Sequence, residues 1–476
     1  METVINPAVQ IQQRRLIVSL FACIGLTLIL TVIGFTTILS LILAAQIVCL
    51  FLAFYRPVWA VAALIIQQLT ASNFMYYISA TPVSIRFTWA VLALLMMMTL
   101  VRREGGLVLG KGARRILLPA VIFLAISIIA NIVNTDMAYT LESVRQVATS
   151  LIIIIIIPAV IKNKQDLKLL GIVAFATGAA SGLFALSQHF HFKFLPIANT
   201  ILGGNFNGRR VMGLNDSPVD LSFTLPMLII PITAVFLLKG FNPRFRLWAV
   251  VAIFVMTAAT YYTWTRSGLY SLGAGLLVML FFIRSQVKKE MVLAVILVCV
   301  SFVIYSDIKQ NRYSKGFAEE DSAASRLVLW EAGISIAMDY PVLGIGHRGF
   351  KEMSQAYLST IEYDPKVVNA TEVLGVEQPH NDIIWVWISY GTPALIAFLL
   401  LLISIFVNFF QAYRRSSNPL VMGIALGCFA AMITYIINAA THNVMDQVVF
   451  IWILAGLSIA TLKLASAEKR PVKVKR

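Results

Sequence analysis

Apolar runs of about seventeen to twenty residues recur along the whole sequence. At 1.5 Å of rise per residue, each can cross a hydrocarbon core of about 30 Å as a helix. The runs place helices near 16–34, 37–54, 58–71, 85–101, 116–133, 144–161, 169–188, 221–238, 247–264, 268–283, 291–305, 383–407, 420–440 and 447–463. The expectation is an all-α, polytopic integral membrane protein with about 14 (12 to 14) transmembrane helices. Composition agrees, because 59% of the 476 residues are hydrophobic and 13% are charged, about half the charge of a soluble domain. A cytosolic enzyme is excluded.

The net charge of +16 invites a nucleic-acid reading until the basic residues are sorted by side. Short cytoplasmic loops collect Lys and Arg. With the N-terminus inside, the inner segments are 1–15, the turn at Arg56, 102–115, 162–168, 239–246, 284–290, 408–419 and the tail from Lys463. They gather 25 of the 38 Lys and Arg residues but 5 of the 22 acids. The basic charge is therefore topological, nucleic acid drops out as a partner, and both termini are expected in the cytoplasm.

The run after Arg15 is too long for a secretory h-region and precedes no clear cleavage site, so it reads as the first helix. Cys23, Cys49, Cys299 and Cys428 all fall within expected spans and form no CxxC, which leaves neither a disulfide framework nor a thiolate metal site. Two matching broken helices, the best pointer to a transporter, are not evident.

The long loops fall on the outer side, at 189–220 and 306–382, and loops of that length are usually functional. Within the second, Ser325 to Met338 reads as an amphipathic helix whose Leu327, Leu329, Trp330, Ile334 and Ala337 face the membrane surface or the bundle. Pro341 ends it, and Gly344, Gly346 and Gly349 allow a tight backbone before Phe350.

Three arginines come out on this outer side: Arg210 in Arg209-Arg210-Val211-Met212-Gly213, Arg266 in Thr265-Arg266-Ser267-Gly268, and Arg326 at the head of the loop helix. A guanidinium suits a diphosphate because its planar fork bonds bidentately and keeps its charge. The plainer alternatives are an interfacial anchor for Arg266, beside Tyr261, Tyr262 and Trp264, and solvated loop charges for Arg210 and Arg326.

All five histidines, His189, His191, His347, His380 and His442, fall at the same side. His380, in Pro379-His380-Asn381-Asp382, directly precedes an expected helix, which would fix it at the membrane edge as a general base. Its alternative is a capping or solvated residue, and His442-Asn443 is the rival doublet. His189 and His191 lack further ligands at metal spacing and read as structural. The outer acids Glu319-Glu320-Asp321 read as a solvated run, and no Asp-x-Asp exists to hold a divalent ion. No metal or cofactor is expected.

Arg326-Leu327-Val328-Leu329-Trp330, then Pro341-Val342-Leu343-Gly344-Ile345-Gly346 with Phe350, then His380-Asn381 and Gly391, resemble the O-antigen ligase and polymerase family of bacterial envelope glycan enzymes. Thr263-Trp264-Thr265-Arg266-Ser267-Gly268 is similar to its Thr-x-Ser-Arg segment, and Arg210 with Gly213 and Pro218 to its arginine-glycine-proline stretch. The resemblance runs from Arg210 to somewhat past Gly391. It divides the chain into a transmembrane scaffold over 1–188, a ligase/polymerase-like region over 189–463 and a basic tail over 464–476.

The resemblance implies a GT-C-like fold in the bacterial cytoplasmic membrane. It also implies a metal-independent, inverting glycosyltransferase that takes a glycan from undecaprenyl diphosphate on the periplasmic side. Arg266 and Arg326 would hold the diphosphate, Arg210 would assist, Asn381 would join the substrate contacts, and His380 would be the base toward the acceptor hydroxyl. The acceptor would be lipid A core or another lipid-linked glycan, with polymerase slightly favoured over ligase. A flippase and a chain-length regulator would be partners. This chain departs from the pattern at Thr265 in place of serine, and at Val219-Asp220 in place of an asparagine after Pro218, which leaves Arg209 and Arg210 as alternatives. It also departs in the stretch between Phe350 and His380, with Glu362, Glu372 and Glu377, which could form an acceptor lid. A transporter or flippase of lipid-linked sugars or small anions is the reading from another class, but it calls for ionisable groups near the bilayer midplane.

Overall fold

The computed structural model describes residues 37–53, 56–76, 110–135, 137–191, 210–215, 217–240, 243–283, 321–362, 378–443 and 450–468, with 21–29 and a few single positions besides. Among them are thirteen helices with assigned bounds, a further helical stretch at 21–29, and no strand. The first eight are α1 (Thr37–Ala53), α2 (Val58–Tyr76), α3 (Lys111–Asn134), α4 (Met137–Val160), α5 (Lys164–Phe190), α6 (Pro218–Leu237), α7 (Pro243–Tyr262) and α8 (Arg266–Leu280). The rest are α9 (Asp321–Asp339), α10 (Gly349–Leu358), α11 (Asp382–Arg415), α12 (Pro419–Ala439) and α13 (Phe450–Ala467). The protein is a polytopic, all-α membrane protein.

The expected 12 to 14 spans are not what the described residues contain. Seven helices are long and apolar enough to cross a bilayer: α3, α5, α6, α7, α11, α12 and α13. Apolar runs overcount because a span must stay both helical and uncharged across the whole hydrocarbon thickness. α8 has only 15 residues. Among the described residues, α4 and α1 contribute only shorter apolar stretches, Thr149–Val160 and Ala44–Ala53. The span expected at 85–101, and about half of those at 16–34 and 291–305, lie outside the described residues.

Local chemistry sets the helix starts. Asn163, Asn381 and Asn418 each accept two first-turn N–H groups of α5, α11 and α12, satisfying donors that no helix can pair internally. Ser217 caps α6, with Pro218 at its first position. α6 and α12 cross closely at Gly427, where any side chain would collide with the Pro231 backbone, and at Gly423, which meets Val235 in the same way. Small residues four apart allow such approach between membrane helices. α3 packs on α11, α4 on α13, and α5 on α2 and α7.

α11 is two helices joined at Gly391, whose φ of 80° and ψ of 176° no helix contains. The break frees the carbonyls of Ile388 and Ser389, which accept the N–H groups of Ile345 (2.9 Å) and Gly346 (3.0 Å), and Thr392 N–H donates to the Pro341 carbonyl (2.7 Å). Gly344, also at positive φ, presses on the Ile388 carbonyl, and Gly391 presses on that of Val342. Both positions must therefore be glycine.

The loop helix α9 is longer than the expected Ser325–Met338, and only part of the expected apolar face, Leu329 and Ala337, is buried in the protein. Ala324, Val328, Leu329, Ala332, Ile336 and Ala337 are buried, while Leu327 and Ile334 are 49% and 39% exposed. The small side wins because Gly333 lets α9 approach Ile384 and Ile388 of α11. α9, α10 and the start of α11 share a satellite core that includes Phe350 and Leu358.

Candidate functional site

The helices have two polar ends. At one, Arg56 pairs with Asp166 (2.6 Å) and Lys164 with Glu468 (3.1 Å). At the other end of the same helices stand the end of α5, the turn from α7 into α8, the residues before α6 and α11, and the end of α12. The arginine and histidine candidates gather at this second end.

Arg210 is fixed by the α7–α8 turn. Its Nε donates to the Thr263 carbonyl (2.9 Å) and its Nη2 to Thr265 Oγ1 (2.8 Å). Thr265 occupies the N-cap position of α8 without capping it, because its hydroxyl serves the arginine. Trp264 between them has a φ of 55°, which tightens the turn. Gln188 near the end of α5 braces the same strip: its Oε1 accepts the N–H groups of Met212 (3.1 Å) and Gly213 (2.9 Å), and its Nε2 donates to the Gly213 carbonyl (3.2 Å). Sequence reasoning missed Gln188, and nothing local marks it out. Arg209 lies outside the described residues.

Arg266 opens α8 between two residues that reach the cluster. Thr265 takes Arg210, and the Ser267 hydroxyl stands 3.5 Å from His442 Nε2. The substitution at 220 has a local explanation: Asp220 Oδ2 accepts from the Ser217 hydroxyl (2.7 Å), and its own N–H donates back to Ser217 Oγ (3.0 Å), a capping pair at the head of α6.

His380 sits at a φ of 55° immediately before the α11 cap. Asn381 is committed to helix ends: its Oδ1 accepts Ile383 and Ile384 N–H, and its Nδ2 donates to the Ala440 carbonyl (3.2 Å). That bond ties the start of α11 to the end of α12 and brings the His380 and His442 rings to 6.4 Å, nearly edge to face. His442 also leans on Phe223 of α6 (5.1 Å).

Burial, then the charge of Arg326, holds His380 below its usual pKa of 6.5. His442 is held well below it by burial, then Arg326, His380 and Arg210. Arg326 of α9 thus acts on both rings, and near neutral pH both imidazoles are neutral. His347 belongs elsewhere, with its ring Nδ1 3.0 Å from the Tyr390 hydroxyl and its main-chain N–H donating to Asn131 Oδ1 (2.9 Å). His189 stacks on Tyr262 at 3.9 Å. Among the described residues no three His, Cys, Asp or Glu side chains are grouped to hold a metal ion.

Residues 251–399 match the family model described as O-antigen ligase. That segment includes Arg266, Arg326, His380 and the Gly391 break, but neither Arg210 nor His442. The chain is also 25% identical over 153 residues to a Rickettsia conorii protein that carries the provisional name polysaccharide ligase. The match covers 32% of this chain and 34% of that relative, so the chain aligns with about a third of the curated protein. These likenesses link the protein, at the level of class, to the ligases and polymerases of envelope glycans.

Proposed function

We propose that this protein is a glycosyltransferase of the bacterial cytoplasmic membrane, which moves a glycan from a polyprenyl diphosphate to a sugar hydroxyl at its outer face. One observation carries the reading: two arginines from separate segments bear on one histidine pair, Arg326 on both His380 and His442 and Arg210 on His442, with the His380 and His442 rings 6.4 Å apart and Arg266 at the head of α8 next to Ser267, which reaches His442. The likeness over 251–399 supports it. A diphosphate at this end meets guanidinium forks, which compensate the charge that grows on it as the anomeric bond breaks. Neutral His380 accepts the acceptor hydroxyl proton as oxygen attacks the anomeric carbon.

The arginine end faces outward in this reading, and the Arg56 and Glu468 end faces the cytoplasm. Transport is less well served. The break in α11 resembles a transporter's discontinuous helix, but its carbonyls at Ile388 and Ser389 are already taken by loop N–H groups.

Ligation and polymerisation share this donor chemistry and differ in the acceptor. Purified protein supplied with lipid-linked repeat units, with and without a lipid A core acceptor, tests both. Longer lipid-linked chains identify a polymerase and glycosylated core a ligase. No transfer to either acceptor, with the free lipid carrier unreleased, overturns the reading.

A further inference from the structure

Within the proposed reaction one proton has no resting place. Once His380 has taken it, an imidazolium stands beside Arg326 in a largely buried setting, where a second positive charge is disfavoured. The ring of His442 lies 6.4 Å away, centre to centre, and the Nε2 of His442 is 3.5 Å from the Ser267 hydroxyl, at the outer limit of hydrogen-bond reach. Such contacts are often long in unliganded sites and tighten with substrate. Ser267 follows Arg266 on the first turn of α8. Asn443, next along, is 6% exposed, and neither polar atom of its carboxamide has a partner in the protein, so this turn offers unused polar groups.

We propose that His442 carries the acceptor's proton away from His380 and, through Ser267, returns it to the departing diphosphate. The proposal rests on the glycosyl-transfer reading above. The acceptor oxygen bonds to the anomeric carbon as the carbon–oxygen bond to phosphate breaks, and that electron pair leaves with the diphosphate. The hydroxyl proton passes to His380 and on through His442, whose pKa is held lower still by burial, Arg326, His380 and Arg210, so that it hands the proton on rather than storing it. Ser267 Oγ takes it from His442 and gives its own proton to the phosphate oxygen, so none is gained or lost. His442 lies beyond the segment matched to the ligase model, and its part comes from the fold of this chain.

The test is steady-state kinetics of the purified full-length protein with lipid-linked glycan. His442→Gln is expected to lower kcat about 10²-fold and Ser267→Ala about 10-fold, with KM for the donor within about twofold. Imidazole added to His442→Ala is expected to restore turnover, which a packing role would not allow. Ser267→Ala keeps the test decisive if replacing His442 disturbs the end of α12. Normal kcat in both variants, a raised donor KM with kcat intact, or no imidazole rescue of a folded His442→Ala overturns the relay. His380→Ala, run alongside, reports on the transfer reading itself. An inactive His380→Ala beside a fully active His442→Gln removes the relay alone.

Discussion

The main-chain N–H of Ile345 is hydrogen-bonded to the carbonyl of Ile388 at 2.9 Å, and this bond fastens the loop that follows α9 to the helix that follows His380. Arg326 and His380, 54 positions apart in the sequence, are therefore set relative to one another by backbone rather than by flexible side chains. Because a side chain at Gly391 would run into the Val342 carbonyl across this joint, Gly391→Ala should cost about 3 kcal/mol or more, from positive-φ strain plus collision. A large fall in the melting temperature of the detergent-solubilised protein checks this. A melt equal to the parent's would mean that the joint is slack.

Arginine chemistry predicts a graded series. Arg266→Ala should abolish transfer while leaving membrane insertion intact. Arg326→Lys should be severely impaired, by about 10-fold or more, because a point charge cannot replace a planar fork. Transfer assays on protein quantified in the membrane fraction separate these outcomes from failed expression. Normal turnover of Arg326→Lys would reduce Arg326 to an anchor of α9.

The pH profile carries a sign. The proposed reaction needs neutral His380, whose pKa is held below the usual 6.5 by burial and then Arg326. Activity should therefore rise with pH through a midpoint below 6.5 and stay level across neutrality. Removing the positive charge in Arg326→Gln should shift that midpoint upward, whatever the loss in rate. An acid limb that does not move would separate Arg326 from the base.

A stability prediction concerns the opposite end. Burial works against the Glu468 carboxylate, but hydrogen bonds from the Ser417 N–H and hydroxyl, Lys164 and Ser416 hold its pKa at about 2. A depressed carboxylate stabilises above its unfolded value, near 4.5, and that contribution fades as pH falls toward 2. Glu468→Gln should cost about 1–3 kcal/mol at neutral pH. The gap between the two melting curves should close on acidification, and a constant gap would argue that packing alone is at stake.

Some of this was legible in the sequence and some was not. Local chemistry was readable: Arg266 stands at a helix start and Gly344 and Gly346 lie in a tight loop, because such features depend on a few neighbours. The span count was not, since an apolar run does not show that α8 stops after 15 residues. The full stripe by which α9 packs was not legible, because Leu327 and Ile334 weigh more in any apolar pattern than Ala332 and Gly333, which make the contact. The sequence names Arg210 and His442 by residue type. That Arg210 closes on Thr263 and Thr265, and that Asn381 draws His380 toward His442, depends on contacts between distant segments.

The broken helix bears on how the protein is made. The loop at 341–346 leaves the ribosome before residues 388–392, so it is already made when α11 enters the membrane. Until the two meet, the nascent helix has peptide groups at Ile388, Ser389 and Thr392 with nothing of their own to bind. Maturation of this protein is therefore ordered in time, and a loop that arrives misfolded would strand the helix synthesised after it.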